Sequence, residues 1–334
     1  MQGQKESGLN LKGKGIEAHG VEDDRSLKVC LAILLASVVV SMVILAWIPP
    51  ISRDALIHHL AIPKLYLEQG GVYEIPFMEF SYYPMNLDLL YMIPLYFGLD
   101  IVPKFLHMAF AFLTAWMIFR YLNTRTGPIF ALFGVVFFLS LPIVLRLSTT
   151  AYVDMGLVFF TTASLFWLLK WFRNPFTSKD LIISALFCGL ALGTKYNGLI
   201  TLVGLTFIIP LFYRKYAPGD NIRPLSSLRY AVFFASIAFI LFLPWLARNF
   251  IWTGNPIYPL FDQYFSSERH IGKGAVSFLA FRAYLYDETW WDLALLPVRI
   301  FFQGQDGSPQ YFDGRLSPFL FFLPILAFIL PMKD

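Results

Sequence analysis

The stretch Val29–Trp47, VCLAILLASVVVSMVILAW, decides the fold class. It carries no charge and has the length an α-helix needs to cross hydrocarbon. It is too long for a signal-peptide core, no small-residue cleavage site follows, and Pro49 and Pro50 close it. It reads as an uncleaved first span. Similar runs recur at Val102–Leu122, Ile129–Leu147, Met155–Trp171, Leu181–Gly193, Gly198–Phe212, Tyr230–Leu246 and Pro318–Leu330. Hydrophobic residues make up 57% of the chain and charged residues 14%, where a soluble domain carries about a quarter charged. Mean hydropathy is +0.61. The alternating pattern of a membrane barrel is absent. The expected fold is therefore an all-α polytopic membrane protein of about eight transmembrane helices. Polar residues 1–28 read as a disordered cytoplasmic tail and 29–334 as the membrane domain. Cys30 and Cys188 fall inside apolar runs, so no disulfide framework is indicated. The net charge of +4 comes from basic residues in short loops beside spans and implies no nucleic-acid partner.

Outward from the first span lies a long connection, about 49–101. Its core, SRDALIHHLAIPKLYLEQGGVYEIPFMEFSYYPMNLDLLYMIPLYFG (52–98), collects the acids and histidines that the spans lack. Topology follows from Lys and Arg. With the tail cytoplasmic, Arg120, Arg125, Lys170, Arg173, Lys179, Arg214, Lys215, Arg223, Arg229 and Lys333 all fall inside. The long segment 248–315 falls outside, where long loops escape the rule. Asn86–Phe97 is too short and interrupted to span and is expected to lie as an interfacial helix. Asp54, Asp88, Asp154, Lys195 and Arg248 then converge on the outer face from four separate connections.

Each of these residues has a structural and a chemical reading. Asp54 and His58 are four apart and share a helix face, whereas His59 points elsewhere. Asp54 serves as a base or metal-binding carboxylate, or merely as a helix cap. Asp88, in LeuAspLeuLeuTyr, faces water at the interface or is paired at a site. Asp154 opens the fourth span, where the helix dipole favours an anion. Lys195 sits in a ThrLysTyrAsnGly turn and needs an anion or water. Arg248, in ProTrpLeuAlaArgAsnPhe, offers a guanidinium suited to phosphate. Lys195 and Arg248 can also simply snorkel. Taken together, carboxylates and cations at one face fit a reaction on a lipid phosphate: the cations hold the phosphate while a carboxylate deprotonates an incoming hydroxyl. No Gly-rich phosphate loop is present, which disfavours a nucleotide-sugar donor. AspGluThrTrpTrpAsp (287–292) suits either carbohydrate stacking or an interfacial belt.

The ordered set Arg53-Asp54, His58-His59-Leu60, Pro63–Leu67 with Gly70, Pro84 with Asp88–Tyr91, Asp154, Gly189–Tyr196, Pro244–Asn249 and Gly254–Pro256 resembles the GT-C membrane glycosyltransferases. In particular it resembles the bacterial branch related to protein O-mannosyltransferases and the lipid A aminoarabinose transferase. The resemblance implies a polyprenyl-phosphate sugar donor, inversion at the anomeric centre and an active site on the periplasmic face of the inner membrane. It places Asp54 as base, with Asp154 beside it; the two would be the ligands of a divalent ion, Mg or Mn, in members that use one. Lys195 and Arg248 would face the donor phosphate, with His58, Asp88 and Tyr83 as further binding candidates. Tyr82 and Tyr83 stand where the aminoarabinose transferase has an acid and a lysine. Relatives commonly continue beyond eight spans, so the chain reads as a fragment or split gene product with a missing C-terminal portion or partner subunit, or as a minimal member. The alternatives are a non-catalytic membrane subunit or a lipid or solute transporter. The latter would bury charges inside spans and show repeated halves.

Overall fold

The computed structural model describes residues 13–173, 176–216, 224–265 and 278–330. Every regular element among them is helical. They are α1 (Gly13–Trp47), a π-helical turn (Ala55–His59), α2 (Ala61–Gln69), α3 (Asn86–Tyr96), α4 (Val102–Thr126), α5 (Pro128–Ser140), α6 (Pro142–Ser148), α7 (Asp154–Arg173), α8 (Ser178–Leu192), α9 (Gly198–Tyr216) and α10 (Pro224–Thr253). Four short helices follow: α11 (Phe278–Tyr286), α12 (Trp290–Ala294), α13 (Leu296–Phe302) and α14 (Phe319–Ile329). Of the expected tail, residues 1–12 lie outside the described residues, and from Gly13 the chain is helical. Lys333 and Arg223, counted among the inner cations, also lie outside them, as does part of the segment 248–315.

Five helices are long and apolar enough to cross a membrane, and α5 with α6 forms a sixth candidate bent by 67°. Eight were expected. The run Ile129–Leu147 breaks because Leu141, extended at ψ 128°, precedes Pro142, and the residue before a proline avoids the helical region. The expected fifth and eighth spans are α8 and α14, of 15 and 11 residues. Two ion pairs show that α8 nevertheless retraces α7. Lys170 Nζ meets Asp180 at 3.1 Å at one end, and Lys195 Nζ meets Asp154 at 2.9 Å at the other.

The α7–α8–α10 packing explains how so short a helix is held. In lipid, helices associate through close backbone approach and interhelical hydrogen bonds. Ser164 Oγ donates to the Ser184 carbonyl at 2.8 Å and Ser184 Oγ donates back to that of Ser164 at 2.7 Å. Gly189 lets α10 approach so closely that an added Cβ would lie 2.8 Å from the Ala238 carbonyl oxygen.

The connection after α1 folds over one end of this bundle. Lys104, buried on α4, donates to the carbonyls of Leu45 and Ile48 at 3.2 and 2.7 Å. It thereby satisfies orphan groups at the end of α1. The segment expected as an interfacial helix is α3, packed on α2 and α4. It buries Leu87, Asp88, Tyr91 and Leu95 and exposes Ile93, Tyr96 and Phe97.

The last helices are tied to the same end of the bundle through α6. Arg146 donates to Asp306 and Asp313, both at 2.9 Å. The cluster 287–292 divides by role. Glu288 is buried against Arg282, Thr289 and Asp292 form a capping box for α12, and Trp290 and Trp291 stack at 3.6 Å on the surface.

Candidate functional site

The Asp154 end of the bundle holds a cavity lined by Asp54, His58, His59, Phe80, Tyr83, Asp88, Tyr152, Asp154, Thr194 and Lys195, among others. Its walls come from the connection after α1, the start of α7 and the turn after α8. Six of the seven residues named from sequence meet here, and Arg248 stands apart.

The histidine pair owes its position to the π-turn. Leu60 N–H bonds the Ala55 carbonyl at 2.9 Å, an i→i+5 bond. Such a widened turn brings residues four and five apart onto one face. Hence His59 joins Asp54 and His58 in the cavity, contrary to the ordinary-helix expectation that it points elsewhere. The two imidazole centroids lie 4.1 Å apart, and Phe80 stacks on His58 at 4.3 Å. His58 Nδ1 is buried without a hydrogen-bond partner. Burial, then the nearby charges of His59 and Lys195, push the His58 pKa down to about 3. His58 is therefore neutral at physiological pH.

Asp88 does not face water, as its interfacial reading required. It is 3% exposed and its Oδ1 lies 2.7 Å from His59 Nδ1. The carboxylate orients the ring and leaves Nε2 as the other functional nitrogen, the arrangement used to position a general base. Asp54, exposed at the start of the turn, has no hydrogen-bond or ion-pair partner among the described residues.

Asp154 sits at the start of α7, as expected, and is held there by a residue that charge patterning overlooked. His107, fully buried on α4, receives the Met155 N–H on Nε2 at 2.7 Å. Its Nδ1 lies 3.0 and 2.9 Å from the carbonyls of Leu147 and Thr150. This bonding fixes the neutral tautomer with its proton on Nδ1. An ionisable side chain inside a span is itself a signal of function, and it could have drawn attention to His107. Lys195 reaches Asp154 from the turn after α8, with one ammonium hydrogen committed to the carboxylate. Gly193 permits that turn: its carbonyl accepts the Asn86 N–H at 2.8 Å, and a Cβ on it would lie 2.1 Å from Asn86 Nδ2.

Arg248 lies behind the Tyr83 wall of the cavity. Nη2 donates to the Tyr83 carbonyl at 3.1 Å, and Nε and Nη2 both reach Asn249 Oδ1. Trp245 and Trp252 flank the guanidinium at 4.7 and 4.9 Å. Nη1 is buried without a partner. Asn249, also missed in the sequence, is fully buried and joins three segments. Its amide donates to the carbonyls of Tyr82 and Tyr258 at 2.8 and 3.2 Å and to the Tyr196 hydroxyl at 3.1 Å. Burial, and then Glu79, raise the Tyr83 pKa, so its hydroxyl stays protonated.

The donor set falls short of a metal site. Among the described residues no group of three or more His, Cys, Asp or Glu is placed to hold an ion. Asp154, one of the two carboxylates expected as ligands, is engaged by Lys195.

A bundle of helices long and apolar enough to cross a membrane, with a charged, partly unsatisfied cavity at one end, defines the class, a polytopic membrane protein. The family model for dolichyl-phosphate-mannose-protein mannosyltransferase matches residues 77–253, more than half of the chain, and the protein belongs to that family of membrane glycosyltransferases. Tyr83, Asp88, His107, Asp154, Lys195 and Arg248 lie within the matched stretch, and Asp54, His58 and His59 precede it. Comparisons with curated proteins and with solved structures gave no match.

Proposed function

We propose that this protein transfers a sugar from a polyprenyl-phosphate carrier to an acceptor hydroxyl at the outer face of the inner membrane. The observation that carries the proposal is the convergence of Asp54, His59–Asp88 and Asp154–Lys195 in one cavity, from three separate connections. The acceptor oxygen attacks the anomeric carbon as the bond from that carbon to the phosphate oxygen breaks. The carrier leaves as polyprenyl phosphate with the bonding electrons, and single displacement inverts the centre. The acceptor proton passes to the Asp54 carboxylate, which has no competing partner among the described residues. Lys195 has two ammonium hydrogens left beyond its bond to Asp154, and these meet the phosphate as its charge grows. Arg248, with Nη1 unsatisfied behind Tyr83, strengthens the positive field on that wall. Among the described residues the carboxylates do not make a set for a metal ion.

The test is turnover of purified protein on polyprenyl-phosphate sugars in detergent or nanodiscs. Wild type should release polyprenyl phosphate in the presence of an acceptor. Asp54→Asn should bind the donor but not turn it over. Absence of release by the wild type across a panel of donors and acceptors would sink the proposal, as would an unimpaired Asp54→Asn.

A further inference from the structure

At the far end of α7 from Asp154, the ends of α4 and α7 enclose a second groove. Four cations line it: Arg120 and Arg125 from α4, and Lys170 and Arg173 from α7. Among the described residues that line it, none is acidic. The preference for Lys and Arg on the cytoplasmic side explains why cations occur at this end. It does not explain why four should face one cleft, where like charges repel. Lys170 is offset by Asp180. Arg120 and Arg173, both exposed, have no ion-pair partner among the described residues.

The groove is shaped as well as charged. Tyr121 and Phe166 stack at 4.6 Å with planes 20° apart, joining the two helices. Arg125 lies 3.6 Å over the Tyr121 ring and donates back to the Tyr121 carbonyl at 3.0 Å, so its guanidinium is held in place. Toward the middle of the bundle the lining turns apolar, with Trp116, Met117 and Leu169. Cations at the mouth and apolar side chains below are the pattern of a site for a lipid that bears phosphate on an acyl body.

We propose that this groove binds the phosphate headgroup of an anionic phospholipid, with one acyl chain against Trp116 and Leu169. The site would anchor the bundle at the face opposite the cavity. A free anion would use the cations and leave the apolar wall bare, and a zwitterionic lipid would bring its own positive charge among four others.

Native mass spectrometry of the full chain in detergent, titrated with phosphatidylglycerol or phosphatidylcholine, tests the proposal. Phosphatidylglycerol should be retained in preference, and Arg120→Gln/Arg173→Gln should weaken it by roughly tenfold or more. The single variant Arg120→Gln should show a smaller loss and serves if the double variant does not fold. Arg214→Gln, at the end of α9 and outside the groove, should bind as wild type. Equal retention of the two lipids would overturn the proposal, as would wild-type binding by the groove variants or an equal loss in Arg214→Gln. Displacement of the lipid by millimolar inorganic phosphate would also overturn it, because the site would then be one for a free anion.

Discussion

Two groups of ionisable side chains stand at the same end of this molecule and behave differently. In the segment after α10, Arg282 grips Glu288 through two bonds of 2.7 and 2.6 Å, and Arg299 adds a third at 3.0 Å. Arg282 also donates to the Gln310 carbonyl at 2.6 Å. These hydrogen bonds, Arg282 first, hold the Glu288 carboxyl below its usual range against the opposing effect of burial. In the cavity, Asp54 and His58 Nδ1 have no hydrogen-bond partner among the described residues. The saturated cluster is a fastening, since each polar group already has what it needs. The unsaturated one has the character of a site: Asp54 is exposed with its carboxylate uncommitted, and a buried polar atom such as His58 Nδ1 is costly without a partner unless something arrives to meet it.

Substitutions can break that contrast. The largest effect expected is on chemistry. Asp54→Asn should lower turnover by about 10²–10⁴-fold, the usual range for loss of a general base. Its unfolding midpoint should stay within experimental error of wild type, and a large drop in stability would return Asp54 to a capping role. Glu288→Gln should do the reverse. Neutralising the carboxylate that Arg282 and Arg299 share should cost about 3–5 kcal/mol of stability, measured by unfolding in detergent, while turnover per folded molecule is kept. If both variants lose activity and stability together, the division between fastening and site is wrong.

Two intermediate cases sharpen the comparison. Asp88→Ala frees His59 Nδ1 inside the fold and should cost about 1–3 kcal/mol, together with a fall in turnover through the misoriented ring. A normal rate in Asp88→Ala would show that His59 takes no part. Gly193→Ala should cost about 1–3 kcal/mol by overpacking, because Asn86 cannot easily yield: its Oδ1 accepts the Trp245 N–H at 3.1 Å. Donor affinity should weaken with it as the Lys195 turn shifts.

The last effect concerns pH. The His58 pKa falls from an ordinary 6.5 to about 3 on folding. Between those values the unfolded chain takes up a proton that the folded chain refuses, so stability declines as pH drops through that window. Unfolding measured from pH 7 to pH 4 should show a shallower decline in His58→Phe than in wild type. Parallel curves would mean that His58 is not held neutral.

Much of this protein was legible in its residues. Val29–Trp47 and its kin set an all-helical membrane fold, because a backbone in hydrocarbon must satisfy its own hydrogen bonds. Asp154 was found at the head of its helix, and Lys195 in its turn, because a charge inside an apolar run stands out. The count of spans was less legible. Pro142 breaks one run, and α8 has only 15 residues yet retraces α7, because a serine pair and a glycine bind it tightly to its neighbours. Hydropathy measures the length and greasiness of a run, and neither records what the run packs against. Arg248 had the right chemistry and the right face, but its place behind Tyr83 depended on Asn249, a residue with no charge to draw notice.

By itself, then, the sequence determined the class of fold and most of the residues that gather at one end of the bundle. Only the tertiary structure decided which of them are spent on one another. His59 entered the cavity through a π-turn that periodicity cannot anticipate. Asp88 turned inward to meet it, and His107 reached from another helix to hold the Met155 amide in the first turn of α7. The physical reason is the same in each case. Charge and hydrophobicity belong to a residue, whereas hydrogen-bond satisfaction belongs to a pair, and the partners here lie 29 to 48 positions apart in the chain.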